Sequence, residues 1–177
     1  MSSAFDAWWA FCQRPENDGQ PLHDTSGDPG GWTSYGITLR TYQAWHHGVT
    51  LSDLKKMTQQ DASIIAELKY WKAAKCDKML GALGIVVCDT AWLSGPGTAI
   101  EWLQQALGIT SDGVFGPMTQ RACDAILSSG ATMQCEHLTD VKNTNYTTMN
   151  PDFAHGWIRR SNDCLQTALN WNRGNPI

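Results

Sequence analysis

Seven glycines and prolines fall between residues 17 and 37 of this 177-residue chain, interleaved with short polar residues. Glycine weakens a helix and proline removes a backbone donor, so no regular helix can run through this stretch. It reads as loops with room for a small hairpin. On both sides of it, apolar residues recur at helical spacing. The chain is therefore expected to be mainly α (α+β), a helical body interrupted once by a small β-rich or irregular lobe around residues 20–37.

The helical segments carry their own start and stop signals. Phe5, Trp8, Trp9 and Cys12 form an i, i+3, i+4, i+7 face behind Ser3 as N-cap, and Pro15 stops that helix just before Glu16. Thr38 caps a helix reaching His47, ended by Gly48. Thr58 with Asp61 three residues on makes a capping-box start, and Ile64, Ile65, Leu68 and Trp71 supply the buried stripe of a helix running to about Cys76. Residues 84–93 are nearly all apolar, and their helical neighbours favour a buried helix over a strand. Asp89 inside that run needs a buried partner or an exposed face. After Ser94-Gly95-Pro96-Gly97, Thr98 is expected to cap a helix bearing Ile100, Leu103, Gln104 and Leu107 and ending at Gly108. Pro117 opens another that closes near Gly130, and two more are expected over 131–147 and 152–171. No internal repeat or linker divides the chain, and its length suits one domain, 1–177.

Composition narrows the partners. Only 17% of residues are charged and nine are tryptophan, which leaves aromatic surface for a ring-shaped ligand such as a sugar. A net charge of −4 offers no general attraction for nucleic acid or for an anionic membrane, and no apolar run is long enough for membrane insertion. Lys69, Lys72, Lys75 and Lys78 recur every third residue and could meet an anionic polymer, although such a run usually only solvates a helix. The first residues lack the basic start and apolar core of a signal peptide, so synthesis in the cytoplasm is expected. Six scattered cysteines without a CxxC pair read as small apolar core residues, leaving disulfides possible only in an oxidising compartment. No zinc, other metal or cofactor is expected. His46-His47 reads as a helix-end pair, and metallopeptidase, serine hydrolase and phosphate-loop patterns are absent.

The chemistry-bearing candidates gather around the breaker-rich stretch. Glu16 emerges at a helix C-terminus, where the partial negative charge disfavours ionisation, and Trp8, Trp9 and Trp32 could supply apolar walls that push its pKa further up. A carboxyl held protonated can donate to a leaving glycosidic oxygen. A second carboxylate then activates water or stabilises the oxocarbenium-like transition state, and a hydroxyl such as that of Thr33 can orient the water. Asp28 is the favoured second acid, with Asp24 as runner-up and Asp18 in the same loop. Taken by themselves these acids read more readily as ordinary loop carboxylates than as catalysts, Asp28 before Pro29 being a good turn starter.

Several blocks in order resemble glycoside hydrolase family 108, the N-acetylmuramidases of phage endolysins and their bacterial relatives. They are Glu16, residues 28–38 (Asp-Pro-Gly-Gly-Trp-Thr-Ser-Tyr-Gly-Ile-Thr), Tyr70-Trp71, Asp89 with residues 94–97, residues 103–108, residues 112–119, and Gly156 to Arg160. The resemblance spans roughly residues 4–172. It implies a lysozyme-like fold that cleaves the β-1,4 bond between N-acetylmuramic acid and N-acetylglucosamine, with Glu16 as the catalytic acid and Asp28 and Thr33 beside it. Asp24, Trp32, Tyr35 and Gln104 are the expected substrate contacts. Residues 1–95 would carry the catalytic Glu, while 96–177 would form the family's peptidoglycan-binding region packed into the same unit. The partner implied is the glycan strand of bacterial peptidoglycan, reached in the periplasm or cell wall after release by a holin or delivery by a secretion device. A non-catalytic peptidoglycan-binding or phage structural protein and a lytic transglycosylase are the alternatives. In one place the sequence departs from the family, which follows its glutamate with two glycines and an aromatic residue; here Asn17-Asp18-Gly19-Gln20 stand instead.

Overall fold

A computed structural model describes residues 3–15, 17–24, 31–149 and 151–174. Among them the fold is mainly helical with one two-stranded antiparallel sheet, the expected mainly α arrangement with a small β lobe. Helix α1 (Ala4–Cys12) starts at a capping box in which the Ser3 hydroxyl accepts from the Asp6 amide at 3.1 Å and the Asp6 carboxylate accepts from the Ser3 amide at 2.9 Å. Strands β1 (Thr33–Ser34) and β2 (Ile37–Thr38) form the small hairpin. Thr38 then caps α2 (Leu39–Trp45), which ends two residues before the expected His47. Short α3 (Leu51–Leu54) and α4 (Gln59–Ala66) follow, the latter opened by the Thr58/Asp61 capping box.

The buried stripe of α4 differs from the expectation. Ile64 and Leu68 are exposed, and Ala62, Ile65 and Ala66 face inward. The cause is a π-helical turn over Glu67–Lys72, which inserts one extra residue, so that Trp71, five residues after Ala66, continues the buried side. The same turn disperses the lysines. Lys69 and Lys72 lie on the π turn, Lys75 adopts a left-handed backbone (φ 57°) and Lys78 ends a 3-10 turn, so no single helix face carries all four.

The apolar run becomes α5 (Gly81–Ser94), buried along most of its length. It packs against α1, α6 (Pro96–Ala106), α8 (Ala131–Met149) and α9 (Pro151–Asn172), and is the axis of the larger core. Helix α6 begins at Pro96 behind Gly95 rather than at Thr98, because proline at the first helical position needs no amide partner. Helix α7 (Pro117–Asp124) also starts at its proline but stops short of Gly130. A smaller core gathers Ile37, Leu54, Met57, Ala62 and Ile65 under the hairpin. Trp9 and Trp92 pack against both cores and join them. All six cysteines are free and buried. Among the described residues no helix is long and apolar enough to cross a membrane.

Candidate active site

The C-terminal end of α1 exposes backbone carbonyls that need donors. The loop after it supplies them. The Asn17 side-chain amide donates to the Phe11 carbonyl at 2.8 Å, the Asp18 amide to the Cys12 carbonyl at 2.9 Å, and the Gly19 amide to the Arg14 carbonyl at 3.2 Å. Gly19 is required for this fold-back, since a Cβ there would lie 1.8 Å from the Gln13 carbonyl oxygen. Pro15 and Asn17, the neighbours of position 16, thus border a closely fitted reversal of the chain. Glu16 and Asp28 themselves lie outside the described residues.

The hairpin closes over this reversal. Tyr35 (φ 50°) and Gly36 (φ 79°) are its two loop residues, both left-handed as a two-residue hairpin turn with positive φ requires. The Tyr35 amide donates to the Gln20 carbonyl at 2.8 Å, and His23 exchanges two 2.9 Å backbone bonds with Thr33. The α-carbon of Gly36 sits against Trp92 and Asp18; a Cβ would come within 2.3 Å of the Trp92 ring and 2.8 Å of the Asp18 Cβ.

Asp18 is the centre of a polar network that penetrates the core. Its Oδ2 accepts from the Trp92 indole at 2.9 Å and from Nη1 of Arg160 on α9. Arg160 is buried, and its Nε and Nη2 each lie 3.0 Å from Oδ1 of the fully buried Asp89. The other Asp89 oxygen faces the buried Lys142 ammonium of α8 at 3.4 Å. Two carboxylates and two cations therefore balance, which is the condition for burying such charges at all. Burial pushes the Arg160 and Lys142 pKa values down more than any single neighbour raises them, but the surrounding groups together, Asp89 foremost, outweigh it and hold both above their usual range. Beneath Arg160, burial raises the Cys12 thiol far above its ordinary range despite the nearby guanidinium, so it stays protonated.

Around the network stand aromatic rings. Trp8 is fully buried and meets Trp92 edge-on at 5.6 Å, Trp9 is half-buried with its ring 6.2 Å from Trp92, and Tyr70 packs on Trp92 at 4.7 Å. Trp32 is 41% exposed and Tyr35 is half-buried. Thr33 donates its hydroxyl to the Gly31 carbonyl at 2.9 Å, and Asp24 is exposed just beyond the His23 bridge. The structure thus brings Thr33, Tyr35, Trp32 and Asp24 into the hairpin and the loop that feeds it, next to the end of α1. Gln104 belongs to another constellation. Its side-chain nitrogen lies 2.8–3.0 Å from acceptors on Asp112, Val114 and Thr119, and its oxygen accepts the Asp112 and Gly113 amides at 2.9 Å, so this amide fastens the turn before α7 to α6. Among the described residues no group of three or more His, Cys, Asp or Glu could hold a metal.

Arg160, Lys142 and Trp92 were not singled out in the sequence as functional residues, yet two of them had a signal. Cys135, Leu138, Lys142 and Tyr146 share one helical face, as do Trp157, Arg160 or Ser161, Cys164 and Ala168, so a cation is embedded in each apolar stripe. Asp89 was the matching demand for a buried partner.

The glycosyl hydrolase 108 family model matches residues 16–95, and the model described as a Predicted Peptidoglycan domain matches residues 98–162. No curated protein matches the chain. Among solved structures the chain is similar to SagA of Brucella abortus, with a TM-score of 0.81 and 28% identity over 96% of this chain and 94% of that one. Residues 16–95 of the chain are thus similar to the glycosyl hydrolase 108 family, and residues 98–162 to the Predicted Peptidoglycan domain.

Proposed function

We propose that this protein is an N-acetylmuramidase: a peptidoglycan hydrolase that cleaves the β-1,4 bond between N-acetylmuramic acid and N-acetylglucosamine. The coarser reading, a glycoside hydrolase acting on peptidoglycan, follows from the two family regions. The observation that carries the finer one is that the hydrolase match opens at Glu16, whose two neighbours border the fold-back at the end of α1 beneath the hairpin. An acid beside a helix C-terminus is disfavoured as an anion, which suits a group that must deliver a proton to a leaving oxygen. Glu16 is the general acid in this reading. Asp28 is the second carboxylate, Thr33 orients water, and Asp24, Trp32 and Tyr35 contact glycan, whereas Gln104, expected among these contacts, is buried with its amide committed to the turn before α7. Residues 1–177 act as one unit, and the protein reaches the wall after release from the cytoplasm.

Purified protein incubated with peptidoglycan sacculi tests this directly. New reducing ends should appear with the wild type and fall by at least about a hundredfold with folded Glu16→Gln, general acid catalysis being worth about 10²–10⁴ in rate. Mass spectrometry of the released muropeptides should show reducing N-acetylmuramic acid ends. 1,6-Anhydro ends would reassign the protein as a lytic transglycosylase, and wall binding without new ends would make it a non-catalytic wall-binding protein.

A further inference from the structure

We propose that Arg160 is a positioning residue for Glu16, acting through Asp18, so that the region matched as a Predicted Peptidoglycan domain completes the hydrolase site as well as following it in the chain. The inference rests on the reading of Glu16 as the general acid. Arg160 lies inside the second family match and Asp18 inside the first, yet the two are joined by an ion pair across 142 residues of sequence. Asp18 is two residues from Glu16, and its backbone amide is itself one of the bonds that fold the loop back onto α1. Among the described residues its side chain is held by two strong donors, the Arg160 guanidinium and the Trp92 indole, with the Cys12 thiol a weaker third at 3.8 Å.

Arginine is needed because it is a fork. Nη1 reaches Asp18 while Nε and Nη2 grip Asp89, a carboxylate with no exposure on the central helix α5. The guanidinium is therefore fixed from behind by the core and presents one donor to the loop. A lysine at this place would keep the charge and could satisfy Asp89, but a single ammonium cannot span both carboxylates in that geometry.

Arg160→Lys, Asp18→Asn and the double variant separate positioning from simple stability. With peptidoglycan fragments as substrate, kcat should drop about 10- to 100-fold in Arg160→Lys with KM changed less than about threefold. The same loss should occur in Asp18→Asn, and Arg160→Lys should add less than about twofold in the Asp18→Asn background. Hydrogen exchange should show faster exchange confined to residues 13–24 in Arg160→Lys, with the amides of α5 still protected. Full kcat in either single variant, multiplicative losses in the double, or unchanged exchange at 13–24 would overturn the proposal. If the wild type itself releases no reducing ends, the muramidase reading fails and this proposal with it. Glu16-dependent activity that ignores Asp18 and Arg160 removes the positioning role alone.

Discussion

Lys142→Met probes whether the buried charges are balanced as a set. Lys142 and Asp89 are both fully buried and 3.4 Å apart. Methionine keeps most of the volume and none of the charge, so the substitution strands half of the Asp89 carboxylate without opening a large cavity. Breaking a buried pair on one side costs about 3–5 kcal/mol, and because Asp89 keeps Arg160 at 3.0 Å the lower end, about 3 kcal/mol, is expected. Unfolding entropy near 2.1 cal/mol/K per residue gives roughly 370 cal/mol/K for 177 residues, so the thermal midpoint should fall by about 8 °C. The decisive comparison is Asp89→Asn/Lys142→Met, which removes one charge of each sign and leaves Arg160 paired with Asp18. The double variant should be more stable than the sum of the two single losses predicts, by at least about 1.5 kcal/mol. Equilibrium urea unfolding, followed by tryptophan fluorescence and far-ultraviolet circular dichroism, measures all four proteins. A Lys142→Met loss below about 1 kcal/mol together with additive singles would refute the reasoning, because it would mean that water or rearrangement solvates Asp89.

Gly36→Ala should destabilise by about 2 kcal/mol or more and lower activity: its φ of 79° already costs a side chain about 1–2 kcal/mol, and the added carbon collides with Trp92 and Asp18. A variant with wild-type midpoint and rate would contradict the contact. Acid should begin to unfold the protein below about pH 4. Hydrogen bonds from the Thr58 hydroxyl and amide hold Asp61 below its ordinary range, and the Thr50 amide and hydroxyl do the same for Asp53. A depressed pKa contributes stability that is present above the unfolded value near 3.9 and disappears as pH falls through the folded one. Asp61→Asn should therefore flatten the acid limb of a midpoint-against-pH curve, and an unchanged limb would exclude the cap as a source. At the other end, burial pushes Cys123 up to about 11 and Cys135 up to about 12. Such raised values contribute stability below the unfolded thiol pKa near 8.5 that is lost as pH rises toward the folded ones. Native protein at pH 8 should accordingly react with a thiol reagent at well under one cysteine per chain in minutes, and urea-unfolded protein at all six.

What could be read from the chain and what could not divides along the range of the interactions. Ser3, Thr38 and Thr58 announce their helices because a cap is satisfied within three residues. The breaker stretch announces the hairpin because turn conformations are local too. Ile64 and Leu68 mislead because their spacing fits a regular helix, and the π turn that rotates them outward answers to tertiary packing of Trp71. The candidate site is the hardest case. Glu16 and Asp18 stand two apart, and nothing near them in sequence distinguishes an acid that would work from one that would hold. The distinction arrives from α5 and α9, where Asp89 fixes Arg160 and Arg160 takes one Asp18 oxygen already bonded to Trp92. An acid whose lone pairs are committed to a buried cation is a poor candidate for activating water, so Asp18 is better suited to hold the loop. That leaves Asp28, with Asp24 as the runner-up, for the second-carboxylate role. The distant contact thus narrows the chemistry of the loop as well as stabilising it, because deciding which acid is spoken for decides which acids remain free to react.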